Sequence, residues 1–148
     1  MLCHYRIIVT YPFIGDYIDC GLLYKLGRID KITPEFKSDA LEFGTAIHLV
    51  LGEFYKQKMV GTVLSIKELQ DLFEKHWRAN AEGREDIQYA ENKNFETLLL
   101  EGKELLTAYY YHNLNDGNYK IIGIEEPFSF TVEGCPVPVI GAIDLMEE

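Results

Sequence analysis

The chain has 148 residues, of which 47% are apolar, so it can bury the core of one domain. Its formal net charge of -10 weighs against a protein that coats nucleic acid regardless of sequence, because such proteins depend on Lys and Arg to release phosphate counterions. No apolar run approaches the roughly 18 residues that cross a bilayer, and the N-terminus lacks the features of a signal peptide, so we expect no membrane association. Three unevenly spaced cysteines do not suggest a disulfide framework, which favours a reducing cytoplasm as the location.

The first part of the chain predicts a short strand, a helix and a loop. Residues 5–10 are rich in β-branched and apolar side chains and favour a strand or an extended lead-in. Pro12 suits the first turn of a helix, and the apolar spacing over residues 13–26 is typical of one amphipathic helix. Residues 27–37, which contain Pro34, predict a loop.

The central helix comes next and carries the first residue able to do chemistry. Ser38 is placed to cap this helix, and Gly61 ends it. Apolar residues fall on most of its circumference, so we expect most of its surface to be buried. His48 lies in its middle, with Gly44 one turn earlier, so a backbone or a ligand can approach closely there. The alternative is a histidine satisfied by a backbone carbonyl, because a single His is weak evidence of a ligand.

Two further helices are predicted before the pattern changes. Ser65 and Glu68 have the spacing of a capping box, which begins a helix. Residues 79–86 are polar and predict a loop, and residues 89–113 predict a long helix that residues 115–117 terminate.

The last quarter of the chain predicts β-structure. Residues 119–126 and 128–132 predict strands, Glu133 and Gly134 predict a turn, and residues 137–146 predict the returning partner strand. The predicted fold class is therefore α/β, of α+β character in this chain, with N-terminal helices followed by an antiparallel β-meander.

Asp144 is the second residue able to do chemistry. We interpret residues 140–144 as a buried strand that presents this carboxylate, with Gly141 leaving room beside it. A carboxylate in so apolar a strand is costly unless it is paired, hydrogen-bonded or bound to a metal. The alternative is an Asp at a fraying strand end that points to solvent.

Three weaker candidates complete the set. Glu125 and Glu126 precede Pro127 at the end of a predicted strand, where such a pair is usually solvated. Their functional interpretation is a further acidic group near a metal site. Cys20 lies between two apolar stretches, and a buried free cysteine is its ordinary interpretation.

Taken in order, segments of the chain resemble the RecB-like branch of the PD-(D/E)XK nuclease superfamily. Residues 17–31 resemble the opening helix of that branch, which often contains Cys-Pro where this chain has Cys-Gly. Residues 41–48, Leu-Glu-Phe-Gly-Thr-Ala-Ile-His, resemble its Gly-x-x-x-His helix. Residues 124–128 resemble its Glu strand, and residues 139–144 resemble its Gly-x-Ile-Asp strand.

The resemblance implies a restriction-endonuclease-like core and metal-assisted hydrolysis of phosphodiester bonds in DNA. Asp144 would hold Mg²⁺ or Mn²⁺, His48 would add a nitrogen ligand or orient a water, and Glu126 would be a further catalytic acid. The imidazole makes manganese more plausible than at an all-oxygen site. We expect His48 and Asp144 to face one another across the helix–sheet interface. DNA repair, recombination, and phage or CRISPR DNA processing are the implied roles, with a helicase or recombination partner.

The strand with the (D/E)-x-K pair of this family would follow the last residue. We therefore expect residues 1–148 to be one incomplete RecB-like nuclease domain, inactive on its own, that self-associates through the unfinished edge at residues 137–146. Some members bind an iron–sulfur cluster. Cys20 matches the first cysteine of that cluster, but Cys3 and Cys135 do not fit the others, which a longer chain would have to supply.

Two other interpretations compete with the nuclease. One is a non-catalytic relative that binds nucleic acid or protein through a degenerate nuclease fold. The other is an unrelated helical domain that mediates protein contacts. A downstream strand carrying Asp or Glu, one residue, and then Lys would favour the nuclease over both.

Overall fold

A computed structural model describes residues 10–115, 120–135 and 137–148. These residues form two compact units. Of the described residues, those of 10–34 and 125–145 form the first unit, here the hairpin unit, and those of 35–124 and 146–148 form the second, here the helical unit. The predicted strand over residues 5–10 lies outside the described residues except for its last position.

The N-terminal helix of the hairpin unit is divided where the sequence predicted one continuous helix. Helix α1 spans Tyr11–Asp19, helix α2 spans Gly21–Tyr24, and a π-helical turn follows over Lys25–Ile29. Cys20 separates α1 from α2 because its backbone is extended, with φ -158° and ψ 104°. Its thiol Sγ accepts a hydrogen bond of 3.4 Å from the backbone N–H of Leu23 and so caps α2.

The first helix of the helical unit begins where the sequence predicted. Strand β1 covers Lys37–Ser38, and helix α3 covers Asp39–Met59. The Ser38 hydroxyl caps α3 by accepting a 3.2 Å hydrogen bond from the N–H of Ala40. Gly61, whose φ of +86° favours glycine, lies just beyond the end of the helix and confirms the predicted stop.

The expectation that most of α3 is buried was wrong. Its buried apolar residues, Ala46, Val50, Phe54 and Tyr55, lie on one side. Leu41 and Leu49 are 63% and 45% exposed. Among the described residues, the helices that pack most extensively against α3 are α4 (Ile66–Ala81) and α5 (Phe95–Asn115), and they leave much of its circumference uncovered.

Helix α4 carries the centre of the core. Trp77 and Phe73 are completely buried and stack on each other, with ring centroids 6.4 Å apart. The indole of Trp77 also stacks on Phe95, and its Nε1–H donates a 3.0 Å hydrogen bond to the Phe95 carbonyl. Gly102 of α5 allows this packing, because a Cβ there would lie 2.1 Å from the Phe73 ring. The predicted capping box is confirmed, with Ser65 and Glu68 bonding each other reciprocally.

The segment before α5 differs from the prediction of a helix from residue 89. Strand β2, Ile87–Gln88, instead pairs in parallel with β1. Helix α5 then begins six residues later than predicted, because Asn94 accepts a 2.9 Å hydrogen bond from the Thr97 N–H and caps the helix. Helix α5 ends at Asn115, the first residue of the predicted stop at residues 115–117. Residues 116 and 117 lie outside the described residues.

Two buried acids hold β2 and the start of α3 together. Arg84 donates to Glu42 at 3.2 Å and bonds both carboxylate oxygens of Asp86, at 2.8 and 2.6 Å. Asp39 accepts a 3.0 Å hydrogen bond from the N–H of Ala90. The Arg84 guanidinium holds the pKa of the Asp86 carboxyl below its ordinary value. The two buried acids, Asp39 and Glu42, therefore each accept a hydrogen bond, which offsets the cost of burying a carboxylate.

The ion pairs between α4 and α5 predict how stability depends on pH. Hydrogen bonds from Lys103 and then Arg78 lower the pKa of Glu74 below its ordinary 4.5. A carboxyl group whose pKa is lower in the folded than in the unfolded protein stabilises the fold at pH values above its pKa in the unfolded state. This stabilisation is lost as the pH falls through its pKa in the folded state. We expect Glu74→Gln to flatten the loss of stability below about pH 4.5, measured by urea unfolding at several pH values. An unchanged pH slope in that variant would contradict the assignment.

The C-terminal β-structure is a two-stranded hairpin. Strand β3 spans Ile121–Phe130 without interruption, where two strands were predicted, and β4 spans Val139–Glu147. Lys120 and Glu148 exchange two backbone hydrogen bonds of 2.9 Å, the pattern of an antiparallel pair. Pro127 is tolerated within β3 because a strand in a two-stranded ribbon has a free edge for the missing donor. The predicted class, helices followed by antiparallel β-structure, is confirmed.

Candidate metal site

The hairpin brings two carboxylates together. Glu125 on β3 and Asp144 on β4 each offer an oxygen, and these oxygens lie within 4.8 Å of one another. Both side chains are exposed. A divalent ion takes carboxylate oxygens at about 2.0–2.6 Å, so oxygens this far apart can bind one ion from two sides. Hard cations prefer such oxygen donors, and the pair therefore fits Mg²⁺ or Mn²⁺.

The two strands that carry this pair do not form a regular ladder. The Phe128 ring lies where a Cβ on Gly141 would come within 2.5 Å of it, so these two residues occupy the same face of the hairpin. Phe128 lies eight positions after Lys120. Glu148, the backbone partner of Lys120, lies only seven positions after Gly141. The ladder is therefore irregular between these points, and we interpret the irregularity as a β-bulge in β3.

Glu125 marks the position of the bulge. Its φ is +53°, in the left-handed region that residues other than glycine rarely adopt. A non-glycine residue there costs about 1–2 kcal/mol. Such strained positions are common at functional sites, where the surrounding structure holds them in place. Here the strained residue is one of the two that supply a carboxylate to the pair.

The expectation that residues 140–144 form a buried strand was wrong. Asp144 is exposed, and Ile143 beside it is 42% exposed. Among the described residues, β4 pairs with β3 alone, and this two-stranded sheet does not bury the Asp144 side chain. The carboxylate consequently does not carry the desolvation cost on which the sequence argument relied.

His48 lies in the helical unit, on the outer side of α3. Its side chain is exposed. It borders a concave surface of about 360 Å³ on the same helix, here the α3 groove, which is lined by Ala40, Leu41, Gly44, Thr45, His48 and Leu49. The histidine is thus presented to solvent on a regular helix, one turn after a glycine, and its imidazole is accessible to a ligand.

The other sequence candidates have simpler surroundings. Glu126, predicted as the further acid, is exposed and follows the bulge residue directly. Cys20 is exposed rather than buried, because its thiol caps α2 at the surface. The Cys135 thiol contacts the carbonyl of Val137 at 3.3 Å. Sequence reasoning preferred Glu126 to Glu125, and the Glu-Glu-Pro pattern gave no signal of which residue would occupy the bulge.

Comparison with known proteins agrees with the chemistry of this hairpin. A family model described as the PD-(D/E)XK nuclease superfamily matches residues 14–148. Searches of curated proteins and of solved structures gave no match. Within the described residues, none of the helices is long and apolar enough to cross a membrane. Since the family model covers most of its length, the chain belongs to the PD-(D/E)XK nuclease superfamily.

Proposed function

We propose that this chain carries metal-binding residues of a nuclease site that hydrolyses phosphodiester bonds. The observation that supports it most is the pair of carboxylates of Glu125 and Asp144, placed close together by a strained bulge. Membership of a nuclease superfamily supports the same conclusion independently. A divalent ion bound there would lower the pKa of a water and stabilise negative charge on the phosphate.

His48 is proposed as the nitrogen member of the same site. Its support is the Gly-x-x-x-His pattern of α3, the exposure of the imidazole, and the donor set that results. One imidazole nitrogen with two carboxylate oxygens suits Mn²⁺ better than an all-oxygen set would, and it still accommodates Mg²⁺. In this role the imidazole binds the ion directly or orients a water on it.

We propose Glu125 as the second carboxylate ligand of this site, in place of Glu126, which the sequence favoured. The potential metal-binding cluster found among the described residues contains the Glu125 carboxylate and does not contain that of Glu126. Glu126 keeps the position of a solvated acid beside the bulge.

The finer assignments follow from the sequence resemblance. We propose that the chain belongs to the RecB-like branch, that its substrate is DNA, and that it acts in the cytoplasm. The family model spans residues of both compact units, which supports their belonging to one nuclease domain. An iron–sulfur cluster at Cys20, self-association and a helicase partner stay predictions.

Cleavage of DNA by the native polypeptide that carries these residues tests the proposal. Single- and double-stranded oligonucleotides would be incubated with Mg²⁺, Mn²⁺ or EDTA, and products would be resolved by gel electrophoresis. We expect metal-dependent cleavage that falls by roughly 100-fold or more in Glu125→Gln, Asp144→Asn and His48→Ala, because each removes a proposed ligand. Glu126→Gln, the matched control, should cleave at nearly the normal rate.

Two outcomes would contradict the proposal. Cleavage that persists in EDTA, or in Asp144→Asn, would place the reaction elsewhere. Tight oligonucleotide binding without any cleavage by the unmodified polypeptide would instead favour a non-catalytic nucleic-acid-binding module.

A further inference from the structure

The connection between β3 and β4 does not by itself fix how the two strands are aligned. It covers residues 131–138, whereas the two-residue turns of tight hairpins set the register through their own geometry. The backbone hydrogen bonds between Lys120 and Glu148 fix the alignment at the opposite end of the hairpin. Nearer the connection another contact has to do so, because a strand that slips by one residue moves about 3.3 Å along its partner.

The ring of Phe128 supplies such a contact by packing on Gly141. A Cβ on Gly141 would lie 2.5 Å from Cζ and 2.8 Å from Cε1 of this ring, so the ring occupies the place of a side chain on the glycine. The ring also stacks on Phe130, with centroids 6.0 Å apart and planes at 20°, so moving it off the glycine would disturb a second contact. Aromatic side chains that cover a strand glycine in this way are one of the devices that pin strand register.

The two proposed carboxylate ligands lie between these fixed points. On each strand one ligand falls between the terminal backbone pair and the contact of Phe128 with Gly141, namely Glu125 on β3 and Asp144 on β4. Because their oxygens come from different strands, the separation of at most 4.8 Å depends on how the strands are aligned. A slip of about 3.3 Å exceeds a metal–oxygen bond of about 2.0–2.6 Å, so one ion could not keep both ligands.

We propose that the packing of Phe128 on Gly141 holds the Glu125 and Asp144 carboxylates at ligating distance, so that Phe128 and Gly141 are positioning residues of the metal site. This inference rests on the proposed function and deepens it. It also gives a reason for a glycine in β4, since glycine weakens a strand and often marks a place where another group approaches closely. Here that group is the Phe128 ring.

Titration of the purified chain and its variants with MnCl₂ by isothermal titration calorimetry tests this inference. We expect Gly141→Ala to weaken Mn²⁺ binding by about 10- to 100-fold, the range typical of residues that support metal ligands. Phe128→Leu should weaken it less, by about 3- to 10-fold, because leucine keeps an apolar side chain at this position.

The double variant Gly141→Ala/Phe128→Leu separates positioning from general weakening of the hairpin. Leucine lacks Cζ, Cε1 and Cε2, the three ring atoms nearest to a Cβ on Gly141, and therefore makes room for the added methyl group. We expect the double variant to bind Mn²⁺ more tightly than Gly141→Ala alone. Two changes that only destabilise the hairpin would instead add, and the double variant would bind most weakly.

Two controls accompany the titrations. Gly15→Ala makes the same change in the same compact unit with no heavy atom within 4 Å of the added Cβ, and it should leave Mn²⁺ affinity within about 2-fold. Fluorescence of Trp77, the single tryptophan of the chain and completely buried in the helical unit, verifies that each variant is folded.

Two results would overturn this inference alone. Unchanged Mn²⁺ affinity in Gly141→Ala would show that the ring moves aside without displacing the ligands. A double variant that binds no better than Gly141→Ala would show that the contact only stabilises the hairpin. In both cases Mn²⁺ binding by the unmodified chain, lost in Asp144→Asn, would leave the metal site of the proposed function in place. Absence of Mn²⁺ binding by the unmodified chain would contradict the proposed function and this inference together.

Discussion

Replacing Asp144 with Asn should reduce the affinity of the chain for Mn²⁺ by about 100-fold. Changing a residue that merely supports a metal ligand typically costs 10- to 100-fold, so loss of a direct charged ligand should reach at least the upper end of that range. Glu125→Gln should have a comparable effect, because its oxygen lies within 4.8 Å of the Asp144 oxygen. Isothermal titration calorimetry of the purified chain with MnCl₂ measures both.

The control for this prediction is the neighbouring acid. Glu126→Gln removes the same charge from the same strand, one residue from the bulge, and should change Mn²⁺ affinity by less than about 3-fold through loss of a nearby exposed charge. Equal losses in Glu125→Gln and Glu126→Gln would mean that the ion responds to total charge on the hairpin. The assignment of a specific ligand to the bulge would then be wrong.

Replacing Trp77 with Ala should lower the free energy of unfolding by about 3–5 kcal/mol. This side chain is completely buried, stacks on Phe73 and Phe95, and donates a hydrogen bond to the Phe95 carbonyl. Its removal leaves a large cavity at the junction of α4 and α5 and removes the hydrogen bond to the Phe95 carbonyl. Urea unfolding followed by far-ultraviolet circular dichroism measures the loss.

Two companion variants separate the causes. Trp77→Phe keeps an aromatic ring but loses the indole N–H, so we expect an intermediate loss of about 1–2 kcal/mol. Leu100→Ala on α5 removes an apolar side chain that is 62% exposed, and its effect should stay below about 1 kcal/mol. A loss in Trp77→Ala no greater than that in Leu100→Ala would show that the core lies elsewhere.

Local signals in the sequence located the helices of the helical unit well. The Ser38 cap, the Ser65–Glu68 capping box and the stop at Gly61 all appear where the sequence placed them. Each of these is decided by side chains within a few residues of one another, so the pattern carries the information itself. The start of α5 was missed because the competing β2 depends on pairing with β1, which is distant in sequence.

The candidate site was only partly predictable for the same reason. His48 and Asp144 were identified from short motifs on a helix and a strand. Glu125 was not preferred, because its role depends on a register shift that is visible only when both strands are compared. Burial was also misjudged on α3 and β4, since an apolar face in a sequence does not reveal whether a neighbour covers it.

Because Glu125 occupies the bulge, this proposed metal ligand could be lost without loss of the hairpin itself. If Glu125 were deleted, the seven residues between Lys120 and Phe128 would shrink to six, matching the six between Gly141 and Glu148. With equal counts a regular ladder can join these points, and the positive φ of Glu125 would disappear with the residue. In this interpretation the hairpin is a regular ribbon with one inserted residue, and that residue, Glu125, holds the carboxylate. Acquiring or losing this ligand needs a change in the length of one strand and no change in any other side chain.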